Sequence, residues 1–147
     1  MSNLNLIDIY NFENCICKNL KMTSRLITQF YDKIFHPIGL RSTQFSLLAV
    51  IMSHDNISIG ELADILLMDQ TTVTRNVEIL RKNGYINVRI GEDDSRKRYI
   101  SINKKGKEKL NEATLLWKKA QFQIKEKIGI DKFEELLKIL VFINDQF

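Results

Sequence analysis

Between Asp69 and Lys107 the chain gathers the side chains best suited to gripping a polyanion. Gln70, Thr71, Thr72, Thr74 and Arg75 fall in one short run, Arg81 and Lys82 follow at helical spacing, and Asp94, Arg96, Lys97 and Arg98 crowd a turn-like stretch. The segment holds ten Lys or Arg against five Asp or Glu in a chain whose net charge is +4, so the remainder is close to neutral. Short hydrogen-bonding side chains and an Arg in the first turns of a helix can meet base edges in a major groove. An Arg at a hairpin tip suits a narrow minor groove, and a carboxylate two residues earlier can hold its planar fork in place. The chemistry expected of this stretch is contact with double-stranded DNA. Charge alone does not carry that reading, since a solvated Lys/Arg face and an ordinary hairpin-turn ion pair have the same composition.

Other chemistries find less support. No nucleophile sits beside a base, no glycine-rich phosphate loop is present, and the expectation is that the chain is not an enzyme. His36 and His54, the only histidines, flank different helix ends, no Cys-x-x-Cys pair exists, and Glu92, Asp93 and Asp94 lack the spacing of a calcium loop. Neither a metal nor a cofactor is expected. Cys15 and Cys17 lie two apart, which on a helix puts them on roughly opposite sides and prevents a bond between them.

The elements that must position the basic run can be read from periodicity. At 147 residues and 44% hydrophobic, the chain can bury one substantial core, and a single Pro with six Gly favours long helices over a sheet sandwich. Ile16, Leu20, Ile27, Phe30, Tyr31 and Ile34 recur at helical steps, predicting a first helix from about 12 to 36 with one buried stripe. Thr43–Ser53 reads as a short, strongly apolar central helix. Ser58, with Glu61 three residues on, has the form of a capping box, followed by Leu62, Ala63, Ile65 and Leu66 as a buried face. Asp69 is a plausible N-cap for a helix over 69–83 whose inner positions are Val73, Val77 and Leu80. Alternation in Tyr85–Ile90 and Tyr99–Ile102 predicts two strands around a 91–98 turn. Asn103 caps a long helix with Leu110, Trp117, Ile124 and Ile128 as its seam, and a last helix from about 131 to 144 turns Phe133, Leu136, Leu137, Leu140 and Val141 inward.

The fold class expected is mostly α, an α+β winged helix: a helix-turn-helix with a β-hairpin wing, plus helices at both ends. One domain spans 1–147, with a DNA-binding lobe over about 41–103, its wing at 85–102, and dimerisation helices over about 12–36 and 104–147. The end helices exceed what so small a core needs, which predicts a homodimer; a helical cap within one chain is the alternative. Met1–Tyr10 shows no secretory leader and no apolar run is long enough to cross a membrane, so a cytoplasmic protein without membrane contact is expected.

In this order and spacing, Gly39–Leu48, Leu62-Ala63-Asp64, Thr72-Val73-Thr74-Arg75, Leu80–Ile86 and Asp94-Ser95-Arg96 resemble the MarR (multiple antibiotic resistance regulator) family of winged-helix transcription factors, and the resemblance covers nearly the whole chain. It implies a homodimeric repressor that reads a pseudo-palindromic DNA operator with the 69–83 helix in the major groove and the 91–98 wing in the minor groove. Base or groove contact would fall to Gln70, Thr71, Thr72, Thr74 and Arg75, with Arg96 entering the minor groove and Asp94 orienting it. Phosphate contact would fall to Arg81, Lys82, Lys97 and Arg98, with Ser42 and Thr43 as weaker candidates. It also implies an effector that is a small aromatic acid, bound between the dimer helices and the DNA-binding lobe, or an oxidant. Cys17 stands eight residues before Arg25, as does the reactive cysteine of the organic-hydroperoxide sensors in this family, and a thiolate near a helix N-terminus is stabilised by the dipole. Tyr31 matches one tyrosine associated with that thiol, whereas Phe45 and Lys21 stand where those sensors carry aromatic partners. Cys15 and Cys17 as small core or interface residues are the plainer reading. The alternative to DNA binding is a winged-helix module that docks on protein.

Overall fold

The computed structural model describes residues 11–147; the expectation drawn from Met1–Tyr10 lies outside the described residues. The order of elements is α1 (Ile16–Phe35), α2 (Ser42–Met52), β1 (Ile57–Ser58), α3 (Ile59–Leu66), α4 (Gln70–Lys82), β2 (Ile86–Ile90), β3 (Arg98–Ile102), α5 (Lys104–Ile128) and α6 (Ile130–Gln146). A mostly helical winged helix is therefore what forms.

The caps fall where side-chain chemistry requires. Ser58 accepts a hydrogen bond from the Glu61 N–H while the Glu61 carboxylate takes the Ser58 N–H at 2.8 Å, closing a capping box at the head of α3. Asp69 caps α4, and Asn103 caps α5 by accepting from the Gly106 N–H at 2.9 Å. Gly84 takes φ +79° after α4, the left-handed conformation that ends a helix cheaply only at glycine. Leu67 adopts the same region at φ 51° in the turn between α3 and α4, a conformation that side chains disfavour and that the sequence does not signal.

The core lies in the DNA-binding lobe. Leu47, Leu48 and Ile51 of α2, Leu62 of α3, Val73, Val77 and Leu80 of α4, and Ile100 of β3 are buried together. Ile65, expected on the buried face of α3, is instead exposed, because the short helix turns only Leu62 and Ala63 fully inward. The wing is a three-stranded antiparallel sheet in the order β1-β3-β2, with Ile100 facing Val88 on one side and Ile57 on the other. The two-residue β1 is too short to leave a period in the sequence.

The end helices differ more from expectation. The first begins at Ile16, not near residue 12: Cys15 is extended (ψ 117°) and acts as N-cap, after a separate short turn at Phe12–Asn14. Only Phe35 of α1 and Phe133 of α6 are buried, whereas Ile16, Leu20, Ile27, Leu136, Leu137 and Val141 are exposed on this single chain. On α5 the deeply buried positions are Gly106, Ala113 and Ala120, also at steps of seven, with Leu110, Trp117 and Ile124 half-buried beside them and Ile128 exposed. Small residues let the helix backbone approach the lobe: a Cβ on Gly106 would collide with the carbonyl oxygen of Tyr85. Asn103 completes this joint by donating its Nδ2 to the Gly84 carbonyl at 2.8 Å.

Candidate nucleic-acid interface

Helix α4 shows why one of its faces is available. Val73, Val77 and Leu80 anchor it in the core, leaving Gln70, Thr71, Thr74, Arg75, Arg81 and Lys82 exposed. Thr72 is not among them. Half-buried, it donates its N–H and its hydroxyl to the two oxygens of Asp69 at 2.8 and 2.7 Å, so its polar group is occupied in building the cap. Those bonds hold the Asp69 carboxyl below the usual carboxylate range. The cap fixes the angle at which the first turn of α4 leaves the lobe.

At the wing tip, Asp94 takes the Arg96 N–H at 3.0 Å and the Arg96 guanidinium at 3.1 Å (Nε) and 3.3 Å (Nη2). These hydrogen bonds lower the Asp94 pKa, while the Arg96 side chain stays 89% exposed. The turn thus holds out a guanidinium whose orientation is set by Asp94. Arg98 faces inward along the tip, donating Nη1 to the carbonyls of Ser95 at 2.9 Å and Lys97 at 3.4 Å. Lys97 is exposed beside it.

The basic residues are not equivalent. Arg81 pairs with Glu78 through two bonds of 2.9 and 2.7 Å, and Thr74, Glu78, Arg81, Arg89 and Arg98 line one groove between α4 and the wing. Ser42 and Thr43 stand apart from this group, half-buried on the wall of a cleft between α1, α2 and α5. The Ser42 N–H is held by Asp32 of α1 at 2.7 Å, an inter-helix cap that no local motif announces. That cleft, of about 500 Å³, is walled by Thr28, Tyr31, Phe45, Met68 and Trp117, with Phe45 6.4 Å from Trp117 and 5.0 Å from Phe35 between ring centroids. Burial raises the Tyr31 pKa. Sequence reasoning missed Arg89, Glu78 and Asp32 as members of these sites. Arg89 could have been found from strand alternation, since it points to the opposite face from Val88.

Cys17 is exposed in the first turn of α1. Tyr31, fourteen positions further along the same helix, is roughly 21 Å away at 1.5 Å per residue, so a thiol–tyrosine contact could arise only between two copies of the chain. Among the described residues no three His, Cys, Asp or Glu side chains converge as a metal site would require, and no helix is long and apolar enough to cross a membrane.

A helix-turn-helix whose second helix and wing expose polar and basic residues, with helical extensions at both ends, defines a winged-helix transcriptional regulator. The model of the MarR family matches residues 40–97, the stretch from the end of the first inter-helix turn to the wing tip. The organic hydroperoxide resistance transcriptional regulator of Bacillus subtilis is 26% identical over 102 residues, 69% of either chain. The HTH-type transcriptional regulator BilQ of Clostridioides difficile is 26% identical over 130 residues, 88% of this chain and 85% of that one. The crystal structure of the Mycobacterium tuberculosis transcriptional regulator MosR in complex with DNA superposes with a TM-score of 0.73 at 32% identity, covering 85% of this chain and 92% of that one. The chain belongs to the MarR family and is a DNA-binding transcriptional regulator.

Proposed function

We propose that this protein acts as a homodimeric repressor that reads a pseudo-palindromic operator. In this reading α4 enters the major groove with Gln70, Thr71, Thr74 and Arg75 toward base edges, and the 91–98 wing carries Arg96 into the neighbouring minor groove. The observation that carries it is the wing tip, where Asp94 braces an almost fully exposed Arg96. The MosR structure, solved on DNA, supports it from a relative at 32% identity. Two copies would join through α1, α5 and α6. Their apolar side chains surround a cavity of about 350 Å³ lined by Leu20, Ile27, Ile124, Leu136, Leu137 and Leu140, a patch that an isolated chain would leave in water.

Release follows from an effector that changes the angle between the two lobes. The aromatic-walled cleft beneath α2 suits a small aromatic acid, because Tyr31, Phe45 and Trp117 offer ring faces while Thr28 and Ser42 offer hydroxyls. Oxidation of Cys17 is the second route, supported by its exposure and by the likeness to a regulator of organic hydroperoxide resistance.

The test is binding of the reduced protein to the DNA upstream of its own coding sequence, by mobility shift across a salt series and again after organic hydroperoxide. Arg75→Ala and Arg96→Ala are expected to abolish the shift while each variant remains a folded dimer. Normal shifts by both would refute the interface.

A further inference from the structure

The solvent face of the wing carries a run of side-chain contacts that crosses the sheet and has no part in the interface as drawn so far. Arg89 of β2 and Tyr99 of β3 are register partners, and alternation turns both away from Ile57, Val88 and Ile100 on the inner face. The Arg89 guanidinium lies over the Tyr99 ring at 5.4 Å and donates Nε to the side-chain oxygen of Asn56 at 3.3 Å. Asn56 immediately precedes β1, on the far side of β3 from β2, so a side chain that starts on β2 crosses the middle strand to reach the loop after α2. Val88, Ile90 and Arg98 stand on the face turned to α4, so the Arg89 head group points away from that helix.

The same ring reaches the wing tip. A Cβ on Gly91 would lie 2.8 Å from Cε2 of Tyr99 and 2.8 Å from the Asp94 carbonyl oxygen, so the ring packs on the first residue of the turn where a side chain would collide. Within the turn, Gly91 donates its N–H to the Lys97 carbonyl at 3.0 Å, Lys97 donates to the Asp94 carbonyl at 3.1 Å, and Asp94 holds Arg96. Those bonds fix the shape of the tip but not its place relative to the lobe. That place depends on how the hairpin is joined to the lobe, and β1 contributes two residues of pairing to the joint, Ile57 with Ile100 and Ser58 with Tyr99. The contacts from Asn56 through Arg89 and Tyr99 to Gly91 run from lobe to tip beside that short pairing.

Resting on the DNA-binding reading above, we infer that Asn56, Arg89 and Tyr99 are positioning residues: they brace the wing from its outer face and set where Arg96 stands relative to α4. They act through Arg96, without contact to DNA of their own. Beyond β1 the hairpin is a two-stranded ribbon, which twists more than a wider sheet, and a stack laid across it resists the twist that would carry the tip off the minor groove. The stack uses the flat face of the guanidinium, so a positive charge alone does not replace Arg89.

The experiment compares wild type, Arg89→Lys, Arg89→Ala and Tyr99→Phe in two measurements: binding to a fluorescently labelled duplex of the protein's own upstream DNA, and selection of bound sites from a random duplex library. Wild type is expected to select half-sites flanked by A·T-rich steps, where the minor groove is narrow. Arg89→Lys and Arg89→Ala should each weaken binding about threefold, the scale of one exposed guanidinium–ring stack. Both should select sites whose A·T preference at the flanks is lost while the positions read by α4 are unchanged, a split that a general loss of stability does not produce. Tyr99→Phe keeps the ring and should match wild type. Wild-type binding by Arg89→Lys but not Arg89→Ala would make Arg89 a phosphate contact and overturn the brace, as would wild-type flanks selected by both, or equal loss at flanks and α4 positions. A wild type that selects half-sites without flank preference would overturn the placement of the wing in the minor groove and the brace with it. One that selects no site at all would overturn the DNA-binding reading itself.

Discussion

The two halves of this molecule solve opposite problems with the same kind of residue. In the DNA-binding lobe apolar side chains are consumed within the chain: Leu47, Leu48, Ile51, Leu62, Val73, Leu80 and Ile100 are wholly buried. In the end helices they are left outside, and Leu26, Leu115, Val141 and Phe142 are each about two-thirds exposed although they belong to regular helices. The lobe folds around its own core. The helical half has apolar surface that nothing among the described residues covers, and that contrast is the physical case for a second copy.

The contrast can be broken most severely at α6. Leu136→Glu with Leu137→Glu places two charges on the exposed apolar face, and the dissociation constant of the proposed dimer is expected to rise by about three orders of magnitude, or about 4 kcal/mol, by sedimentation or light scattering over a dilution series. Secondary structure of the DNA-binding lobe should survive. A variant that remains dimeric at all dilutions would place the contact between copies elsewhere.

A smaller effect is expected from the other half. Leu80→Ala removes a fully buried side chain that joins α4 to the core, and should lower unfolding stability by about 2–5 kcal/mol. Here the change should not depend on protein concentration, whereas that at α6 should. Chemical denaturation at two concentrations separates them.

The smallest effect sharpens the comparison through pH. Glu61, Asp69 and Asp94 all titrate below the usual carboxylate range because each accepts hydrogen bonds, from Ser58, Thr72 and Arg96 respectively. A depressed carboxylate stabilises the fold above its unfolded pKa and loses that contribution as pH falls through the lower folded value. Acid should therefore loosen the caps and the wing turn of the DNA-binding lobe first. Lys109 behaves oppositely. Its pKa is raised chiefly by the Glu112 carboxylate at 2.9 Å, and it donates to the Ile38 carbonyl at 3.1 Å, strapping α5 to the α1–α2 turn. That contribution is complete below the unfolded lysine pKa and is lost as pH rises through the higher folded one. Amide protection factors, which remove the intrinsic pH dependence of exchange, should fall at the head of α4 on the acid side and at Ile38–Leu40 on the alkaline side; equal protection at both ends would break the assignment.

How much could be read in advance depended on the range of the forces involved. Caps were legible because Ser58 with Glu61, Asp69 and Asn103 act within three residues of themselves. The inner positions of α4 were legible because Val73, Val77 and Leu80 mark a helix face, and the wing because alternation and a charged turn mark a hairpin. At Thr72 the sequence left open whether the hydroxyl turns to a base or to Asp69, and in the free chain local geometry turns it to the cap. Asp32, ten positions before Ser42, caps a helix it does not belong to, and only packing of α1 on α2 brings it there.

The sequence by itself determined the helices, the hairpin, the starts of α3, α4 and α5, and the concentration of positive charge on one stretch, because these follow from neighbours along the chain. The tertiary structure alone decided that Arg81 and Arg98 share a groove with Glu78, that Tyr31, Phe45 and Trp117 wall one cleft, and that the stripes of α1 and α6 face outward. The physical reason is that periodicity states which face of an element is apolar, while only the meeting of distant elements decides whether that face is covered and by what.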